Sequence, residues 1–130
     1  MQHAESRALL AAAVGGADAK LAEDPVAIDV SEALGVVDFF VILSGRNTRQ
    51  VTTVVEAVEE EVRRRTGRGP LRIEGLRDAT WVLMDYGDVI VHVFLDETRR
   101  YYDLEHLWSG APRVELGELL ETRAADVASS

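Results

Sequence analysis

The stretch from Ile73 to Pro112 reads IEGLRDATWVLMDYGDVIVHVFLDETRRYYDLEHLWSGAP, and its centre decides the fold. Thr80 to Asp85 and Asp88 to Leu95 are rich in β-branched and aromatic residues, with Tyr86 and Gly87 between them. Two such runs joined by two residues ending in glycine predict a β-hairpin, because a primed turn needs positive φ and glycine adopts it without steric cost. That loop sets the expected register. Asp85 faces Asp88, Met84 faces Val89, Leu83 faces Ile90, Val82 faces Val91 and Trp81 faces His92. Side chains alternate along a strand. One face then carries Val82, Met84, Val89, Val91 and Val93, an aliphatic set that reads as core beneath a helix. The other carries Trp81, Leu83, Ile90, His92 and Phe94, and is either a second core layer or a recognition surface.

The expected turn opposes two aspartates, at a cost of a few tenths to about 1 kcal/mol. Three readings offset that cost: local turn chemistry, in which Asp accepts from backbone amides; an acidic tip that meets a cationic partner; or a metal site, for which two carboxylates alone make a poor cage.

Outward from the hairpin, Asn47 to Thr66 is the clearest helix. Val51, Val54, Val55, Val58 and Val62 fall on one face of a 3.6-residue period. Asn47 with Gln50 resembles a capping box, and Glu59 to Glu61 before Arg63 to Arg65 supply pairs along the helix. Asp38 to Ser44, DFFVILS, is an apolar run expected to be a strand buried on both faces. Val26 to Val30 and Leu71 to Glu74 are shorter strands, and Ser31 to Val37 a turn or single helical turn stopped by Gly35. Ala4 to Glu23 reads as a helix weakened at Gly15 and Gly16, where a kink or fraying is expected, and stopped by Pro25. Asp96 to Trp108 is a turn and short helix with Leu104, Leu107 and Trp108 on one face. Tyr101 and Tyr102 cannot both point inward from it. A helical turn is expected at Glu115 to Glu121 and disorder from Ala124 to Ser130. The fold class is α/β: one domain over residues 1–112, with a mixed sheet of about five strands flanked by helices, and an acidic, partly disordered tail over 113–130.

With 130 residues, 47% of them hydrophobic, the chain suits a single core. Its net charge of -9 argues against nonspecific nucleic-acid binding, which needs a basic face, and suits a basic protein partner. Without cysteine, disulfides and thiolate chemistry are excluded. Neither a membrane span nor a signal-peptide pattern is evident, so a cytoplasmic location is expected.

Catalytic sets are incomplete. His3, His92 and His106 lack metal-ligand spacing, and His92 reads as a hydrogen-bonded sheet histidine. Ser44-Gly45-Arg46-Asn47 sits at a strand-to-helix junction, where amides can hold an anion. It lacks the glycines and lysine of a phosphate loop, so it reads as a structural turn. Asp38, Asp85 and Asp88 would make an acidic set for nucleotidyl transfer only if Asp38 lay beside the other two, and no local pattern brings it there.

DFFVI from Asp38, Ser44-Gly45 followed by Arg49-Gln50-Val51, Glu74-Gly75, WVLMDYGDVIVHVF from Trp81, ETRRYYDLEHLW from Glu97 and Ala111-Pro112 together resemble the ribosomal silencing factor family, also called Iojap. The resemblance spans Ala8 to Pro112. It implies a nucleotidyltransferase-like fold without known catalysis, cofactor or metal. It further implies a factor that binds a basic protein on the intersubunit face of the large ribosomal subunit, protein fourteen. Such a factor blocks joining of the small subunit, represses translation under nutrient limitation, and often forms a homodimer when free. No membrane and no direct nucleic-acid readout enter this picture. The residues expected to meet the partner are Trp81, Leu83, Asp85, Tyr86, Asp88, His92, Tyr102, Asp103, Leu104, Glu105 and Trp108, as aromatic anchors with an acidic rim. The rival classes are a metal-dependent nucleotidyltransferase or phosphoesterase, and a large-subunit assembly factor.

Overall fold

The computed structural model describes residues 2–120, with side chains from residue 4 onward. The expected disorder at 124–130 lies outside them. The elements are α1 (Gln2–Ala19), β1 (Glu23–Asp29), α2 (Ser31–Leu34), β2 (Phe39–Gly45), α3 (Thr48–Thr66), β3 (Arg72–Glu74), β4 (Trp81–Asp85), β5 (Val89–Leu95), α4 (Asp96–Tyr102) and α5 (Leu104–Leu107). They build one α/β domain with a five-stranded sheet in the order β1-β2-β5-β4-β3. The β2–β5 pair is parallel and the other three are antiparallel.

Hydrophobic period sets the layers. The valine stripe of α3 is buried, as expected, against Val41, Leu43, Val82, Met84, Val89, Val91 and Val93 of the sheet and Leu9, Leu10 and Val14 of α1. Asn47 caps α3 by accepting from the Gln50 amide at 2.8 Å. Gln50 reaches back to the Arg46 amide instead of to Asn47, one residue beyond an ordinary capping box.

Three expectations for α1 and β1 are corrected. The helix runs unbroken through Gly15 and Gly16, and ends at Ala19. A Cβ at position 16 would stand 2.8 Å from the Ala57 carbonyl oxygen, so glycine there permits close approach of α1 and α3. Pro25 does not stop the helix. It lies inside β1, where the register is irregular between Glu23 and Val26, an edge-strand position that tolerates a missing amide.

The hairpin forms, but not in the expected register. Tyr86 N–H donates to Val89 O at 3.0 Å, so the two loop residues are Gly87 and Asp88. Gly87, at φ +94°, takes the first central position, the glycine site of a II′ turn. Trp81 therefore pairs with Phe94, Val82 with Val93, Leu83 with His92, Met84 with Val91 and Asp85 with Ile90. The slip is two residues. Because side chains alternate with period two, both faces keep their members. Asp85 and Asp88 are no longer opposed.

Of the segment beyond residue 112, the described part packs on the domain. Arg113 bridges Ile28, the Val114 amide donates to Ala27 O at 2.9 Å, and Leu119 is buried in the core. These contacts cover the outer edge of β1. Among the described residues no helix is long and apolar enough to cross a membrane.

Candidate functional site

The sheet face away from α1 and α3 is part core, part open surface. Ile28, Val30, Val37, Ile42 and Phe94 are buried there. Phe40, Trp81, Ile90, Leu104 and Trp108 pack against them and remain partly exposed. Alternation along β2, β4 and β5 puts Phe40, Trp81, Leu83, Ile90 and His92 on this face. The α4–α5 segment brings Tyr102, Leu104 and Trp108 to its border. Trp81 stacks on Phe94 with centroids 4.8 Å apart and meets the Tyr102 ring at 4.8 Å. Phe40 stands edge-on to His92 at 4.9 Å and to Trp108 at 5.2 Å. Each such pair adds about 0.5–1.5 kcal/mol beyond area burial, so the open aromatics are held in place before any partner arrives.

His92 is 5% exposed beneath this layer. The Trp81 indole N–H donates to its Nδ1 at 3.2 Å. Nδ1 thus carries the lone pair, and the proton of the neutral ring sits on Nε2, a buried atom with no hydrogen-bond partner among the described residues. Burial pushes the imidazole pKa down to about 4, so the ring is neutral at pH 7.

The acidic groups are largely committed to the protein itself. Asp88 receives a bidentate pair from the Arg68 guanidinium, at 2.8 and 3.1 Å, and Arg68 also donates to Tyr86 O. Asp85 accepts the Gly87 amide at 2.8 Å and lies 3.3 Å from Arg72. The turn tip is thus stabilised by both turn chemistry and an internal cation. Tyr86 points to the other face: it is buried in the main core, where desolvation raises its phenol pKa to about 12. Tyr86 and His92 are therefore not surface contacts. Leu107, expected beside Leu104 and Trp108, is instead 74% exposed. Both Tyr101 and Tyr102 are exposed, and Asp103, in the left-handed region at φ 46°, is the open acid between α4 and α5.

Phe40, on the strand expected to be wholly buried, was not among the expected contacts, and neither were two arginines that organise this region. Arg99, 7% exposed, donates to Ser44 Oγ at 2.9 Å, to Glu23 O at 3.3 Å and to Glu105 Oε2 at 3.0 Å. Glu105 is thereby an internal partner that ties α4 and α5 to the end of β2, not a rim charge. Arg68 is the other. A single arginine in Thr-Arg-Arg or Gly-Arg-Gly carries no local mark of burial or pairing; Arg99 is enclosed by Ser44 and Glu23 from distant strands, and Arg68 meets Asp88 in the hairpin turn.

The Asp38 amide donates to Asp88 O at 2.7 Å, so the fold does bring these backbones together. Their carboxylates diverge: Asp38 accepts from Ser6 at 2.7 Å and Asp88 from Arg68. Among the described residues no three acidic or imidazole groups converge as metal ligands.

The family profile described as ribosomal silencing factor during starvation matches residues 3–130. The chain belongs to the ribosomal silencing factor family. A ribosomal silencing factor of Halalkalibacterium halodurans is 43% identical over 108 residues, covering 83% of this chain and 92% of that protein. A crystal structure from Bacillus halodurans, 42% identical, superposes with a TM-score of 0.71 over 83% of this chain and 97% of that one. The mouse mitochondrial assembly of ribosomal large subunit protein 1 is 33% identical over 90 residues, 68% of this chain and 40% of that protein.

Proposed function

We propose that this chain binds the large ribosomal subunit through its aromatic sheet face, docking on a basic protein at the intersubunit surface, protein fourteen. Bound there, it blocks joining of the small subunit and represses translation. The observation that carries this reading is the half-open aromatic layer of Trp81, Phe40, Ile90, Tyr102, Leu104 and Trp108 on a rigid sheet, in a chain of net charge -9. Preorganised aromatic anchors are what interface cores use, and acidic surroundings favour a basic protein over RNA. Leu83 and Asp103 complete the contact set; Asp85, Asp88 and Glu105 shape it through their internal pairs. The chain acts by occupancy, without catalysis, metal or cofactor, in the cytoplasm, and pairs with a second copy when free.

Sedimentation with separated subunits tests this. The wild type should travel with large subunits and reduce joined ribosomes, and Trp81→Ala should lose roughly 2 kcal/mol of binding. Equal recovery with small subunits would refute the reading. A second reading, assembly of the large subunit, is favoured by the name of the mouse relative. It is distinguished by accumulation of immature large subunits in cells lacking the protein, without a change in joining of purified subunits.

A further inference from the structure

A groove of about 370 Å³ lies beside the aromatic face, between α2 and the turn after α5. Ala33, Leu107, Trp108, Ala111 and Pro112 line it, together with the acidic Asp29 and Glu32. The apolar part of its lining is continuous with the aromatic face through Trp108, whose ring meets Phe40. Glu32 is exposed and makes no ion pair among the described residues. Asp29 already accepts from the Ser31 amide and hydroxyl, which fixes its carboxylate in place. A Cβ added at Gly110, which also lines the groove, would meet open space.

A largely apolar trough whose lining includes an exposed carboxylate matches one kind of side chain. Lysine and arginine lay an aliphatic stem on apolar surface while the charge reaches a polar edge, and a tryptophan face adds cation–π attraction. Resting on the function proposed above, we infer that this groove is a second contact site for the same protein partner. It seats one long cationic side chain, its stem on Leu107 and Trp108 and its charge at Glu32.

The test compares binding of purified large subunits by the wild type, Glu32→Lys, Gly110→Met, and Glu56→Lys on the exposed face of α3 as control. Glu32→Lys and Gly110→Met should each weaken binding about tenfold, equivalent to roughly 1.4 kcal/mol, with Glu56→Lys near wild type. Glu32→Lys should also flatten the salt dependence. If the wild type binds and both groove variants match it, the groove inference fails while the aromatic face stands. Weakening by Glu32→Lys alone means long-range steering and overturns the seating; weakening by Gly110→Met alone overturns the cation. Loss equal to that of Glu56→Lys assigns the effect to net charge and also overturns it. No binding by the wild type overturns the proposed function itself.

Discussion

Replacing His92 by leucine removes a single titration from the folding equilibrium. The imidazole pKa lies at about 4 in the folded protein, against 6.5 for an unburied histidine. Between these values the unfolded chain binds a proton that the native state excludes, so stability rises with pH through this window. The contribution is fully present above about 6.5 and is lost as pH falls toward 4. A shift of about 2.5 units at 1.36 kcal/mol each makes it roughly 3 kcal/mol. Desolvation is the cause, and the rings packed on the imidazole are Trp81, Phe40 and Phe94. Urea unfolding of wild type and His92→Leu at intervals from pH 7 to pH 4.5 checks it. Every other group is common to the two proteins and cancels in the difference. At pH 7 the two should lie within about 1 kcal/mol, because the substitution removes an unpartnered buried donor as well as an acceptor. Toward acid pH the wild type should lose stability faster. Parallel curves would refute the assignment of a neutral, desolvated ring.

Arg99→Met strands the Glu105 carboxylate in a largely buried setting and should cost about 3–5 kcal/mol, with a large part recovered in Arg99→Met/Glu105→Met; a single variant that melts like the wild type would show the pair to be dispensable. Gly16→Ala should lower the melting temperature, because overpacking against the Ala57 carbonyl, about 1–3 kcal/mol, outweighs the roughly 1 kcal/mol gained in helix propensity; a rise in melting temperature would contradict the close packing of α1 on α3. Asp103→Lys should slow association with large subunits at low salt, with the gap closing at high salt, since an exposed rim charge acts through encounter. Asp88→Lys is not equivalent: it breaks the Arg68 clamp, and its main effect should appear as a lowered unfolding midpoint.

Period and turn residues determined the elements. The valine stripe of α3, the apolar run of β2 and the two strands flanking Tyr86-Gly87 all express local patterns that survive in any compact arrangement, and each formed. The division of the hairpin into an aliphatic and a mixed face was equally legible, because alternation depends on parity alone. Register was not. One turn residue decides it, and the choice of Gly87-Asp88 over Tyr86-Gly87 places the Tyr86 ring in the core and Asp88 beside Arg68, a residue eighteen positions before Tyr86. Of the candidate site, the aromatic members on the hairpin and the segment that follows it could be read, but Phe40, on a strand expected to be buried on both faces, could not. Which acids remain open could not be read either, since Asp88 finds Arg68 and Asp85 finds Arg72 only once the strands pair, and Glu105 is enclosed only where Arg99 packs on the end of β2. The same holds for Gly16, whose lack of a side chain looks like a helix defect until α3 lies against it. Local chemistry thus specifies what each segment is, and the long-range pairing of arginines, carboxylates and packed helices decides which of its groups still face the solvent.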